Sequence, residues 1–515
     1  MKKKHLLIAT ALLGVVGIYS CKKALNSPKD AVTKAAASNS DRYLQSIVLG
    51  TYTQLQGLTA NNAMLLSSEE TTDALIVPGR IGGDWADGGV WQQLWLHTYT
   101  ASHDNISGAW NNAYNTIGSI NITISLLQGL PQTSGTAYSI SELKVLRAYF
   151  YYLLVTNYGN VPLLISTDQD ASKVATKPAS EVFDFVVSEL KTNGPLLSAK
   201  TSSQDGSQYG RLNKWGAYFL LAKLYLNQNV ITGSSGNAGF QAASSYCDSI
   251  MTAGYTLQPN FLDNFSSTNN SGNNENIFVI PYDHIYAPGL QIQMMSFHYN
   301  QAAKYNWGST GGPWNGFCAN ADFYGKFSNS DARKKGWQEG IQYAADGVTP
   351  LTTRGSDSSL VLNFRPQVSA LGNGAQKATE YDGVRQQKWQ LTPGYQSQDA
   401  DFALFRYSDV LLMKAECLLR QGDAAGALTY TLPVRQRAGL ANFTAVAFNA
   451  DSLLNERGRE FAWEGWRRED LIRYGHFGDK RQFKNADPDG HTKLFPIPTS
   501  AIQKNPNLTQ NPGYN

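Results

Sequence analysis

The stretch LFRYSDVLLMKAECLLRQGD, residues 404–423, places Leu404, Tyr407, Leu411, Ala415 and Leu418 at alternating steps of three and four. That spacing is one buried face of an α-helix. Gly422 predicts the helix end, and Asp423 stands ready to cap a second helix at once. The stretch therefore reads as half of a helical hairpin.

The same pattern recurs upstream. In RLNKWGAYFLLAKLYL (211–226), Leu212, Trp215, Phe219, Ala222 and Leu226 share a face. In SELKVLRAYFYYLLVTNYGNVPLL (141–164), Leu143, Leu146, Phe150 and Leu153 do so. Ser139 and Glu142 fit a capping box there, and Gly159 and Pro162 fit a stop. Four pairs are predicted: 41–58 with 105–128, 141–157 with 179–192, 212–229 with 239–253, and 404–420 with 424–437. Ala148, Ala222 and Ala415 offer small surfaces where helices approach. Stacked pairs bury a continuous core, as in tetratricopeptide arrays. The expected class is mainly α, a tetratricopeptide-like array of helical pairs. The match to the tetratricopeptide consensus itself is weak.

Between about Gln258 and Ala403, Gly, Asn, Ser, Pro and aromatic residues replace the helical pattern. This reads as a loop-rich lobe inserted between helix pairs, where function concentrates. The expected divisions are 1–20, 21–40, 41–257, 258–403 and 404–515.

The first two divisions come from LLGVVGIYSCKKALNSPKD (12–30). The apolar run from Leu6 to Tyr19 is shorter than the roughly 20 residues a bilayer span needs. Lys2, Lys3 and Lys4 precede it, so it reads as a cleaved secretory signal. Small Ser20 permits cleavage before Cys21, which then occupies the position of a bacterial lipoprotein cysteine. That likeness implies acylation of Cys21; the alternative is a plain signal peptide with a coincidental cysteine. Residues 22–40 read as a flexible tether.

The chain's formal charge of +3 falls to zero once Lys2, Lys3 and Lys4 leave with the signal. A neutral chain without charge segregation is a poor nucleic-acid binder. Cys247, Cys318 and Cys417 are widely spaced and read as buried thiols rather than disulfides or zinc ligands. His97 and His103 lack a metal-binding context. There is no Walker loop, GxSxG or GxGxxG, and no metal or cofactor is expected. Glu69, Glu70 and Asp73 read as capping and turn residues.

LLNERGREFAWEGWRREDLIRYG (453–475) sets Glu456, Glu460 and Glu464 one helical turn apart. Two carboxyls at such a distance could serve a retaining glycosidase. Arg457, Arg459, Arg467 and Arg468 crowd them, however, and favour the ionised form over a proton-donating acid. A structural, ion-paired helix is the expectation, and no catalytic residue is assigned.

The aromatic clusters differ. GGDWADGGVWQQLW (82–95) sets Trp85, Trp91 and Trp95 amid Gly and Asp. YNWGSTGGPWNGF (305–317) sets Tyr305, Asn306, Trp307 and Trp314 amid Gly and Asn. A flat indole can stack on the C–H face of a pyranose while polar side chains bind its hydroxyls. The alternative is that these tryptophans lock long loops to the core.

The chain resembles the RagB/SusD family, nutrient-binding outer-membrane lipoproteins of Bacteroidetes. The resemblance rests on RYSDVLLMKAECLLRQGD, VRQRAGL, LLNERGREFAWEGWRREDLIRYGHF and LFPIPTSAIQKNPNLTQNPGY near the C-terminus. LRAYFYYLLVTNYGNVPLL and WNNAYNTIGSIN carry it nearer the N-terminus. It implies four tetratricopeptide-like pairs with a loop-rich lobe, and no catalysis. It also implies that the protein caps a SusC-like TonB-dependent barrel and delivers oligosaccharide, or sometimes peptide. A scaffold that binds no sugar is the other reading. Lys22 and Lys23 replace the acidic residues that follow the cysteine in some exported surface lipoproteins. Within one branch of the family, GGDWADGGVWQQLW and PWNGF look like recurring signatures. Trp85, Trp91 and Trp314 therefore stand as candidates for either the shared fold or the ligand, alongside Tyr305 and Asn306, and Trp307, which flanks the second signature, is the favoured ligand residue.

Overall fold

The computed structural model describes residues 41–307, 312–354 and 359–514. The leader, Cys21 and the tether lie outside them. The helices used below are α1 (Asp41–Tyr52), α2 (Met64–Glu70), α3 (Val90–Leu96), α4 (Asp104–Gln128) and α5 (Ser134–Tyr158). They continue with α6 (Ala179–Asn193), α7 (Lys214–Leu226), α8 (Ala238–Met251) and the short α9 (Ile292–Ser296). The C-terminal set is α10 (Tyr407–Arg420), α11 (Ala424–Arg437), α12 (Ala450–Glu460) and α13 (Arg467–Tyr474).

Helix pairs organise the core as the periodicity predicts. α5 packs on α6, α7 on α8, and α10 on α11. The first pair differs: α4 packs most extensively on α5, and α1 lies against both. The cause is length. α4 and α5 are each 25 residues long and form an antiparallel hairpin, whereas α1 is 12 residues and covers only part of it.

Local chemistry sets the ends. Asn213 caps α7 by accepting from the amides of Trp215 and Gly216, both at 3.0 Å. Gly422 takes φ +89° and stops α10, and Asp423 caps α11 through the Gly426 amide. α5 begins earlier than the sequence predicts. Thr133 and Thr136 form its capping box, so Ser139 and Glu142 lie inside the helix. Glu142 is instead buried beneath Arg211 and the Tyr52 hydroxyl. Gly159, at φ +69°, ends α5 as expected.

The region between α8 and α10 is mostly irregular. Strands β1 (Asn276–Ile280) and β2 (Phe402–Arg406) pair antiparallel at its two ends. This ladder roots the lobe in the helical core. Phe405 of β2 stacks on Phe219 of α7, with ring centroids 4.4 Å apart, and meets Tyr149 of α5 edge-on at 5.5 Å. Cys247, Cys318 and Cys417 are free and buried. No described helix is long and apolar enough to cross a membrane.

Candidate functional site: an aromatic cleft

The site begins at Arg80, which is fully buried. Its guanidinium donates to the carbonyls of Asn315, Gly316 and Thr379. A buried cation so spent on carbonyls fixes three loops relative to one another. The glycine-rich turn after Arg80 then reverses through Gly82 and Gly83, both at φ +94°. Trp85 and Asp87 also adopt positive φ, 59° and 34°. Such conformations cost a non-glycine residue about 1–3 kcal/mol and concentrate at binding sites.

The second loop is tied to α9. Trp314, Asn315 and Gly316 donate their amides to the carbonyls of Met294, Phe297 and Met295. The two quoted aromatic segments therefore meet. The Trp85 indole N–H donates to the Trp314 carbonyl at 2.7 Å. Trp85 meets Trp91 edge-on at 5.2 Å and Phe317 at 5.5 Å. Trp91 is nearly buried, with its Nε1 donating to Asp87 Oδ2 at 2.7 Å, and braces Trp85 from behind. Gly316 is required by contact: a Cβ there would lie 2.2 Å from the Trp85 ring.

Trp85, Trp91, Pro313 and Trp314 line a cleft of about 470 Å³ together with Asn61, Asp84, Asp87, Tyr299 and Arg354. The polar members form one unit. The Tyr299 hydroxyl donates to Asp84. Arg354 Nη2 donates to the same carboxylate at 2.8 Å, and its guanidinium lies 3.6 Å from the centroid of the Tyr299 ring. Burial, then the hydrogen bond to Asp84, pushes the Tyr299 hydroxyl well above its ordinary pKa, so it stays protonated and can donate. Half-buried indole faces beside preoriented donors and acceptors can stack on and hydrogen-bond a flat polyhydroxylated ring.

Trp307 does not belong to this cleft. It is 1 % exposed and packs in a cluster with Met294 and Phe297, with Tyr305 against it. Phe297 and Tyr305 flank its ring at 5.8 and 5.3 Å. This corrects the expectation that Trp307 is the favoured ligand residue: no indole face is left to stack on. Tyr305 is half-buried on Phe297, and exposed Asn306 lies outside the cleft lining. Trp314 joins the two groups, packing on this cluster while lining the cleft. Trp95 is buried, and its indole donates to the Gln482 carbonyl.

The glutamate row is a buried ion network. α12 ends at Glu460, so Glu464 lies beyond the helix, in the turn that leads to α13. Glu456 meets Arg333 at 2.8 Å and Arg435 at 2.6 Å. Glu460 meets Arg406 at 2.9 Å and Arg333 at 3.1 Å. Glu464 meets Arg406 at 2.8 Å and Lys388 at 2.7 Å. Burial opposes the charge on Glu456, yet Arg333, Arg459 and Arg435 outweigh it and hold its pKa at about 2. The same contest leaves Glu460 well below the usual range. Neither can hold a proton as a general acid near neutral pH.

Glu69 and Asp73 also bind inward. Glu69 accepts from the Gly465 amide at 2.8 Å, and Asp73 pairs with Arg467 at 2.7 Å. His97 is buried between Asp487 and the Thr71 carbonyl, each at 2.7 Å. Asp283, His284 and Asp399 come close enough together to hold an ion. Asp399 already accepts from His284, and Asp283 from the amides of Ile285 and Tyr286. Those bonds account for the cluster as a turn.

Tyr299 and Arg354 were not legible from sequence. Each lies in aperiodic sequence, and each reaches Asp84 across more than two hundred residues.

Stacked helical pairs with a loop-built lobe and an aromatic cleft define a tetratricopeptide-like protein whose cleft lies among the loops. Comparison with known proteins places it further. A family model described as the SusD family matches residues 367–514, and one described as "Starch-binding associating with outer membrane" matches 32–226. The chain belongs to the SusD/RagB family. Starch-binding protein SusD of Bacteroides thetaiotaomicron is 26 % identical over 443 residues, covering 75 % of each chain. Surface glycan-binding protein A of Bacteroides uniformis superposes with a TM-score of 0.72 at 22 % identity, covering 92 % of this chain and 99 % of that one. The Bacteroides thetaiotaomicron protein of that name, in complex with laminarihexaose, gives 0.71 at 22 % over the same shares. These likenesses show the fold.

Proposed function

We propose that the protein binds an oligosaccharide in the Trp85–Trp314 cleft and delivers it to a SusC-like, TonB-dependent transporter. Lipid on Cys21 would hold it to the outer membrane, facing the exterior. One observation carries the reading: the aromatic faces of Trp85 and Trp314 converge with Asp84, Tyr299 and Arg354 in a cleft of about 470 Å³. That size falls within the ~300–1,000 Å³ of ordinary ligand sites. The names of the relatives, starch-binding and surface glycan-binding, support the ligand class. Two larger or comparable cavities offer less. One of about 570 Å³ beside the C-terminus has no Trp, Tyr or Phe in its lining. One of about 400 Å³ beside α13 is lined largely by charged groups, among them Asp73, Lys326 and Arg467.

Titration calorimetry over a panel that includes laminarihexaose and starch oligosaccharides tests the reading. Saturable heat with wild type, lost in Trp314→Ala, is the expected result. Heat from peptides but from no sugar would convert the protein to a peptide-binding lid. No heat from either, with a barrel still recovered from membranes, would make it a scaffold. Release of reducing ends would indicate a hydrolase.

A further inference from the structure

Tyr299 and Arg354 reach the cleft from separate segments, and one buried imidazole sets both. His298, next to Tyr299, is fully buried. Its Nδ1 accepts the Asn300 amide at 3.1 Å, closing the single helical turn Tyr299–Gln301 that carries the Tyr299 ring. Its Nε2 lies 2.8 Å from Glu380 Oε2. A ring nitrogen that accepts bears no proton, so the neutral imidazole carries its hydrogen on Nε2 and donates it to Glu380. The same carboxylate oxygen accepts the Arg354 amide at 2.5 Å. A second clip runs beside the first, where Asn300 Nδ2 donates to the Thr352 carbonyl at 2.7 Å. Gln301 roots the turn in the lobe: its Oε1 accepts the His298 amide at 2.8 Å, and its Nε2 donates to Gln338 Oε1 at 2.7 Å.

The ring has one workable state. The opposite tautomer would set a donor against the Asn300 amide and a lone pair against Glu380. A charged ring would keep the first of those conflicts. Burial, joined by the guanidiniums of Arg385 and Arg80, outweighs the pull of Glu380 and holds the His298 pKa below its ordinary 6.5. Phe364 is the apolar neighbour from the other side, and Asp84 and Arg354 meet the adjoining Tyr299.

His97 is a buried histidine without such a consequence, since its partners Asp487 and the Thr71 carbonyl lie outside the cleft lining. Both partners of His298 lead to lining residues. Groups that meet a ligand hold their geometry only when a supporting shell locks them.

We propose that His298 and Glu380 are positioning residues of the cleft: with its hydrogen on Nε2, the imidazole sets Tyr299 and Arg354 together on Asp84, as the polar wall that meets a sugar ring. The inference rests on the oligosaccharide reading above and deepens it.

The test uses the full chain and the same oligosaccharide panel. Glu380→Ala removes the shared acceptor and should weaken binding about fivefold or more. Glu380→Gln keeps a carbonyl oxygen for both donors and should recover most of that loss. Because Glu380 acts through Arg354, adding Glu380→Ala to Arg354→Ala should weaken binding no further. Additive losses in the double variant, a Gln variant as weak as the Ala variant, or Glu380→Ala that binds like wild type would each overturn the proposal. Imidazole nitrogen NMR of ligand-free wild type, assigned with His298→Asn, reads the ring itself and needs no alanine variant. At neutral pH it should show a protonated Nε2 and a bare Nδ1; the opposite tautomer or a charged ring would overturn the proposal. Wild type that binds no sugar of the panel would overturn the oligosaccharide reading itself, and the proposal with it, before any variant is compared.

Discussion

At the scale of single residues, the cleft turns on which tryptophans keep a face free. Trp85 and Trp314 are half-buried and line it; Trp307, only eight residues from Trp314's loop anchor at Asn315, is sealed between Phe297 and Tyr305. Both loops look alike in sequence, because Gly together with Asp or Asn surrounds all three indoles. Which face ends up covered is decided by Met294 and Phe297, whose approach no local spacing encodes. Trp314→Ala should weaken oligosaccharide binding at least tenfold, the equivalent of ~1.4 kcal/mol or more for a central aromatic anchor. Calorimetry reads this directly, and an unchanged dissociation constant would remove Trp314 from the site. Trp307→Ala should instead cost about 3–5 kcal/mol of stability, as for other buried tryptophans. A thermal midpoint equal to wild type would contradict its burial. Gly316→Ala tests the geometry between them. Its Cβ has no room beside the Trp85 ring, so the indole must leave the cleft wall. Binding should fall about as far as in Trp85→Ala, and crystallography of the variant would show the displaced ring.

At the scale of elements, the helix pairs were legible because their apolar faces repeat at 3.6 residues, and caps such as Gly422–Asp423 punctuate them. The start of α5 was not. Ser139 and Glu142 satisfy the capping pattern, but Thr133 and Thr136 satisfy it one turn and a half earlier, and the longer helix buries more surface. α12 is the intermediate case. Crowded charge predicts an ion-paired helix, but of the four neighbouring arginines only Arg459 pairs with a glutamate of the row. Arg457 turns to Asp409 and Asp470, and Arg467 to Asp73, while Arg333, Arg406, Arg435 and Lys388 arrive from distant segments. Arg406 bridges Glu275, Glu460 and Glu464, and so joins β1 and β2 to α12 and its following turn. Removing one member of a buried pair typically costs 3–5 kcal/mol, through the uncompensated charge left behind. Arg406→Ala is expected to cost at least ~3 kcal/mol, measured by denaturant unfolding. The network also sets an acid limit. Glu456 has a folded-state pKa of about 2, below its ordinary value of 4.5. A depressed carboxylate contributes stability that is present above the unfolded pKa and lost as pH falls through the folded one. The contribution of Glu456 should therefore be constant from pH 7 to about 5 and drain away between about pH 4.5 and 2. Comparing wild type with Glu456→Gln isolates it. The two melting temperatures should differ most near neutral pH and converge toward pH 2, and a gap that persists undiminished there would refute the assignment.

At the scale of the whole molecule, the cleft and the anchor proposed at Cys21 lie in separate parts of the chain. The cleft is assembled from Asn61, the loop around Trp85, Tyr299, Trp314 and Arg354, all carried on the helical core. None of these lies in residues 21–40. Affinity for sugar should thus be independent of the attachment that lipid on Cys21 would supply. Each buried methylene contributes ~0.8 kcal/mol, and several acyl chains together hold a protein stably at a bilayer. Cys21→Ala is predicted to abolish incorporation of labelled fatty acid and to move the protein from the outer-membrane fraction to the soluble one. Its calorimetric dissociation constant should match wild type within about twofold, equivalent to ~0.4 kcal/mol. Label and membrane retention that survive in Cys21→Ala would refute lipidation at this residue. A variant that leaves the membrane but also loses its sugar would refute the separation, and would place part of the ligand site in the tether.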